Sequence, residues 1–166
     1  GAYFRTAMVV PLAVACLEAR GFGPEDFARS HPGGALGRRL LTHVRDVMRT
    51  GRDVPTVQVT ASVTDALEEI TRKSMGMTAV LDGERLVGIF TDGDLRRLIE
   101  REGDIRHLTV VAGMTRNPLY IGPDALATEA AALMDENRKN QLLVLDASGK
   151  LVGALHTHDL MAAKVL

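Results

Sequence analysis

A hydroxyl and a carboxylate three residues apart give this sequence its clearest chemical lead. They are Thr91 and Asp94, in Gly88-Ile89-Phe90-Thr91-Asp92-Gly93-Asp94-Leu95-Arg96-Arg97. An apolar run, 86–90, reads as a short buried strand, and a helix is expected from Asp92 to about Arg101. Thr91 and Asp94 therefore fall at the N-cap and in the first turn. Free backbone N–H groups at a helix start attract anions. The Thr hydroxyl and the Asp carboxylate can bond a ribose or sugar hydroxyl. Capping is the plainer use of the same two side chains, and both uses can hold at once.

The stretch returns as Gly153-Ala154-Leu155-His156-Thr157-His158-Asp159-Leu160. Asp94 and Asp159 are separated by 159 − 94 = 65 positions. His156 stands where the first copy has Thr; a neutral imidazole still donates, and a protonated one attracts phosphate. Strand alternation would keep His156 and His158 on one side, with Asp159 next to them. Three adjacent ligands without a further partner do not make a metal site, and no metal is assigned. Asp92 beside Asp94 could form an acid/base pair, but nothing nearby needs activating. Of the remaining histidines, His31 lies in a Ser-His-Pro-Gly-Gly turn, and His43 and His107 read as surface residues.

The elements that would position these groups repeat as well, and a repeat governs the fold. Asp65-Ala66-Leu67-Glu68-Glu69-Ile70 is echoed by Glu129-Ala130-Ala131-Ala132-Leu133-Met134, and Gly76 to Asp82 by Asn140 to Asp146. A first strand at 57–59 leads to Ser62, an N-cap with Asp65 three residues on. A helix over 63–74 places Val63, Ala66, Leu67 and Ile70 on one face, and Gly76 is expected to stop it. A buried strand at 78–81 turns through Asp82-Gly83 into 86–90. Each unit is thus β-α-β-β-α. The fold class is α/β (α+β), with two tandem units packed about a pseudo-twofold axis. The expected division is 1–43, 44–106 and 107–166. The first of these holds helical patterns at 12–20 and 24–29, then a basic helix from about Ala35. It is too short for its own core and reads as the tail of a larger domain.

Composition narrows the function. With a net charge of −1, no Trp, four Phe and two Tyr, neither an electrostatic nor a stacking platform for nucleic acid is expected. The single cysteine, Cys16, excludes an internal disulfide and a multi-cysteine zinc site. No apolar run reaches membrane-spanning length, and no secretory signal is evident. A cytoplasmic protein is expected, with no nucleic-acid or membrane partner.

From Val44 to about Ala163 the paired units resemble CBS repeats, and together a Bateman module. The resemblance rests on Asp46-Val47-Met48, Gly88-x-x-Thr91-x-x-Asp94 and Leu95-Arg96-Arg97. The earlier segment, 12–22 followed by Asp26-Phe27-Ala28-x-Ser30-His31-Pro32-Gly33-Gly34-Ala35-Leu36-Gly37-Arg38, is similar to the join between the sugar-isomerase (SIS) domain and the CBS pair of D-arabinose 5-phosphate isomerases. That resemblance implies a regulatory fragment, inactive alone, with His31 a relic of the SIS site. The parent enzyme would interconvert ribulose 5-phosphate and arabinose 5-phosphate in Kdo and lipopolysaccharide synthesis. It implies no cofactor, but a small-molecule effector: a nucleotide or nucleotide sugar such as CMP-Kdo, or AMP or ATP. It implies crosswise sites, with Thr91 and Asp94 facing Tyr120, Asn140 and Gln141. His156, His158 and Asp159 would face Pro55, Thr56, Val57, Met75, Gly76, Met77 and Thr78. Arg97, Lys73, Arg138 and Lys139 are cations that a phosphate could use, with a solvated helix face the plainer reading for most of them. The implied partners are the SIS domain of the same protein and a second copy, giving a homodimer through the CBS pairs (a tetramer in the parent). A module that only dimerises, without ligand, is the alternative.

Overall fold

The computed structural model describes residues 35–166. The expected helices at 12–20 and 24–29, Cys16 and His31 lie outside the described residues. Those residues form six helices and seven strands. In chain order they are α1 (Ala35–Leu41), α2 (Val44–Val47), β1 (Thr56–Gln58), α3 (Val63–Lys73), β2 (Met77–Asp82), β3 (Arg85–Thr91) and α4 (Asp92–Glu102), then β4 (Thr115–Arg116), β5 (Tyr120–Ile121), α5 (Ala127–Glu136), β6 (Gln141–Leu145), β7 (Leu151–His156) and α6 (Thr157–Ala162). The α/β class and the β-α-β-β-α order of each repeat follow the sequence pattern.

Local chemistry sets the boundaries. Ser62 Oγ accepts the Asp65 N–H at 3.0 Å and starts α3, whose Val63, Ala66 and Ile70 are buried. The helix ends before the expected Gly76. Ser74 takes the left-handed conformation at φ 56 and bonds back to Ile70, helped by its hydroxyl donating to Thr71 O at 3.3 Å. A side-chain bond to the last turn lets a serine fill the place usually given to glycine. The hairpin also shifts by one residue. Asp82 pairs with Arg85, so Gly83, at φ 65, and Glu84 form the turn instead of Asp82-Gly83. Glycine at the first turn position supplies the positive φ at little steric cost.

One sheet has the order β1-β2-β3-β4, the other β5-β6-β7. β1 runs parallel to β2, with Thr56 opposite Ala79; β5 runs parallel to β6, with Tyr120 opposite Leu143. β4 was not legible beforehand. It adds to the edge of β3, with Arg116 opposite Gly88 and Thr115 opposite Ile89. A Cβ at Gly88 would stand 2.8 Å from Thr115 O, so this close approach requires glycine there.

The residues fall into two compact units. One holds 35–48 with Pro123–Leu142 and Leu155–Leu166; the other holds Arg49–Gly122 with Leu143–Ala154. These units are cut differently from the repeats. The reason is packing: Leu143 and Ala154, from the second repeat, join Val54, Met75, Met77 and Ala79 in one apolar cluster. A second cluster, Val63, Ala66, Ile70, Val80, Phe90, Leu98 and Val110, fixes α3 and α4 on their sheet. Burying each such side chain stabilises by roughly 1.5–3 kcal/mol before entropy is counted. In the other unit α1 rests on α5. The join is made by the backbone: Val44 N–H to Ala125 O at 2.8 Å and Ala127 N–H to Thr42 O at 2.8 Å. Asp46 Oδ2 accepts the His43 N–H at 2.8 Å, which gives the Asp-Val-Met signature a capping role. His43 is partly exposed and His107 exposed. Among the described residues no helix is long and apolar enough to cross a membrane.

Candidate functional site

The helix start at Thr91 and Asp94 is built as a reciprocal cap. Thr91 has extended backbone, φ −116 and ψ 168, and its Oγ1 accepts the Asp94 N–H at 3.1 Å. Asp94 Oδ2 in turn accepts the Thr91 N–H at 3.0 Å and the Thr91 hydroxyl at 3.1 Å. Its other oxygen accepts from Arg97 Nη2 at 2.7 Å and from the Thr115 hydroxyl at 2.8 Å. Asp94 is only 4% exposed, so burial and four donors hold one carboxylate in one orientation. The capping role is therefore real. A ligand hydroxyl could reach this carboxylate only by displacing a present donor. Thr115 was missed by sequence reasoning, because a two-residue edge strand leaves no periodic signal.

Strand pairing brings Gly76 and Met77 to the same place. Met77 is opposite Thr91, and Gly76 O accepts the Asp92 N–H at 3.2 Å. The Met75 and Met77 side chains, expected to face a ligand held by His156, His158 and Asp159, are fully buried in the cluster with Leu143 and Ala154. Thr78 is also fully buried, its hydroxyl donating to Ala79 O at 3.2 Å. These three side chains serve the core. The strand entry at 55–57 is similarly committed. Pro55 O accepts the Ala79 N–H at 2.9 Å, and the Thr56 N–H is held by Glu69 Oε2 at 3.0 Å. Val57 is half-buried and packs on the α3 and α4 cluster. Glu69, 8% exposed, is the second residue that sequence reasoning missed. It looks like an ordinary helix-face acid, yet Arg72 at 3.1 Å and Lys73 at 3.5 Å neutralise it in place.

The second helix start repeats the first with an imidazole. Asp159 Oδ2 accepts the His156 N–H at 2.9 Å, and His156 Nδ1 accepts the His158 N–H at 3.0 Å. An accepting Nδ1 assigns the ring proton of the neutral form to Nε2. The two imidazoles meet with centroids 4.4 Å apart, tilted by 54°. They meet because His158 sits in the first turn of α6, not through alternation along a strand as expected. Thr157 N–H donates to Asn140 O at 2.9 Å, matching the Asp92–Gly76 bond of the first repeat. Asn140 is exposed and Gln141 half-buried. Among the described residues, no three His, Cys, Asp or Glu side chains gather as a metal site.

Tyr120 is 58% exposed and lines a cavity of about 490 Å³ with Arg85, Arg116 and apolar neighbours. Asn140 and Thr157 line a smaller one of about 250 Å³, beside α1 and α5.

Comparison with known proteins places this geometry. The pattern of the CBS domain matches residues 44–101 and again 103–165. This chain belongs to the CBS domain family. Among curated proteins this chain is 53% identical over 156 residues to arabinose 5-phosphate isomerase KdsD of Pseudomonas aeruginosa, covering 93% of this chain and 48% of that protein. It is 50% identical over 156 residues to KdsD of Escherichia coli K12, covering 93% and 47%. The chain thus spans about half the length of the curated relatives it matches. Among solved structures, CBSX2 in complex with AMP is 31% identical with a TM-score of 0.64, over 74% of this chain and 95% of that one. A CBS-domain containing protein from Agrobacterium tumefaciens is 27% identical with a TM-score of 0.66, over 74% and 93%.

Proposed function

We propose that this CBS pair is the ligand-sensing, regulatory part of an arabinose 5-phosphate isomerase. The effector is a nucleotide or nucleotide sugar, CMP-Kdo first and AMP or ATP as the alternative. The carrying observation is the 50–53% identity, across 93% of the chain, with enzymes named for that reaction. The AMP bound by CBSX2, a relative at 31% identity, supports a nucleotide-sized effector. A catalytic domain in the same polypeptide would supply the chemistry, and the CBS pair would set its activity. The residues proposed to read ligand hydroxyls are Thr91 and Asp94 at one helix start and His156, His158 and Asp159 at the other. Asn140, Gln141 and Tyr120 are further polar contacts. Pro55, Thr56, Val57, Gly76 and Thr78 are proposed to contribute through backbone carbonyls, each of which can accept a second hydrogen bond.

Regulation requires that the effector bind two states of the parent enzyme with different affinity. The test is a thermal-shift series on this chain with CMP-Kdo, AMP, ATP and S-adenosylmethionine, joined to isomerase rates of the full-length enzyme. A ligand at one hundred times its Kd adds about 2.7 kcal/mol. For a chain of this size that raises Tm by about 5 °C or more. No shift with any of the four contradicts the reading.

A second reading, pairing without ligand, draws on two exposed apolar side chains: Ile99 on α4, 45% exposed, and Met161 on α6, 55% exposed. Symmetric association would cover them. Light scattering of the chain distinguishes this, because a dimer that no nucleotide stabilises favours the second reading.

A further inference from the structure

Thr91 and Asp94 are engaged in their own cap, whereas a cavity of about 490 Å³ at β3, β4 and β5 is walled by two arginines and a tyrosine. Its volume falls within the range of small-molecule sites. Leu86, Pro118 and Leu145 give it an apolar floor, and among the described residues no carboxylate lines it. Arg85 and Arg116 both stand at the wall. Arg85 has only a long contact, 3.6 Å, with Asp82, and among the described residues Arg116 has no ion-pair partner. Tyr120 presents its ring there at 58% exposure. The wall is held in place by the backbone: Arg116 is paired with Gly88, Tyr120 with Leu143, and Asn117 between them takes a positive φ of 54. Neither Thr91 nor Asp94 lines the cavity.

We infer that this cavity is itself a nucleotide site, separate from the Thr91–Asp94 helix start. The guanidiniums of Arg85 and Arg116 take the phosphate, and the base lies against Tyr120 over the apolar floor. Two guanidiniums, one of them held only by the long, exposed contact to Asp82, suit a phosphate, to which arginine donates in paired fashion. A ring face exposed beside an apolar floor suits a base of any identity, because every base has a π-face. The absence of a carboxylate among the described lining residues matters too: the site reads charge and flatness, not ribose hydroxyls. The inference deepens the nucleotide-sensing reading and rests on it.

The test is calorimetric titration of the whole chain with AMP, and with adenosine as the probe lacking phosphate. Arg116→Gln and Arg85→Gln are each expected to weaken AMP roughly tenfold, the loss of one charge-assisted contact, while changing adenosine little. Tyr120→Leu is expected to weaken both probes. AMP affinity should fall as salt rises, and the amide resonances of Val87, Asn117 and Gly149 should shift on binding. Each variant must keep the wild-type unfolding midpoint, as expected for exposed side chains whose backbone pairing is unchanged. If AMP binds with unchanged affinity to both arginine variants, this inference is overturned while the sensing reading stands. If neither AMP nor any other nucleotide binds the wild type, the sensing reading fails and this inference falls with it.

Discussion

Replacing Asp94 tests its structural role apart from the ligand-reading one proposed for it, and the size of the effect follows from the four bonds it accepts. In Asp94→Asn one oxygen becomes an NH₂. If the remaining oxygen stays toward the Thr91 N–H, the cap survives. The new amide then meets the Arg97 guanidinium, donor against donor, while the Thr115 hydroxyl can turn to accept. If the amide flips, Arg97 and Thr115 keep an acceptor and the Thr91 N–H loses its own, while Thr91 Oγ1 still accepts the Asp94 N–H. A cap contributes roughly 0.5–2 kcal/mol. The Arg97 pair contributes less than its 2.7 Å distance suggests, because the arginine is 65% exposed and screened. Either arrangement therefore costs about 1–2 kcal/mol. Asp94→Ala loses every bond and strands the Thr115 hydroxyl, so about 3 kcal/mol is expected. Urea denaturation at constant m-value reads both changes directly. A cycle pairing Asp94→Ala with Thr115→Val should show coupling of about 1 kcal/mol. An Asp94→Ala protein within 0.5 kcal/mol of wild type, or zero coupling to Thr115, would refute the view that this carboxylate anchors the fold.

Further outcomes follow from single contacts. Gly88→Ala should destabilise by roughly 1–3 kcal/mol, since the added methyl meets a backbone carbonyl at 2.8 Å that has no rotamer to escape into; an unchanged urea midpoint would contradict the register of β4. Ser74→Gly should raise stability by roughly 0.5–1 kcal/mol by relieving a left-handed serine, and a loss would show that the Thr71 bond matters more. The Asp146 carboxyl is held below its ordinary value, first by the Ser148 hydroxyl and then by the Lys150 backbone N–H. Its turn is thus stabilised above the unfolded carboxyl's pKa, and that gain is lost as pH falls through the lower folded value. A carbon-detected NMR titration that places Asp146 at or above the ordinary aspartate range contradicts this.

The parts of this molecule written in local pattern were readable in advance. Ser62 and Asp65 announce a capped helix, Val63, Ala66 and Ile70 its buried face, and the 65-residue echo of Asp94 in Asp159 announces the second unit. Less visible were the contacts made at a distance. Thr115 binds Asp94 across 21 residues through a strand of two residues, too short for alternation to show. Glu69 looks like any solvated acid until Thr56 is folded against it. Met75 and Met77 were equally compatible with a ligand wall and with a core, and only the placement of Leu143 and Ala154 decides for the core. The exchange of Thr for His at position 156 changed the capping atom but not the plan, because Nδ1 accepts an N–H much as a hydroxyl does.

The measurement closest to the central claim is calorimetric titration of this chain with CMP-Kdo and with AMP at physiological salt. Saturable heat with at least one of them, at whole-number stoichiometry, is the result expected of a sensor. Flat titrations with both, from a chain that unfolds cooperatively, would leave a folded CBS pair that senses neither.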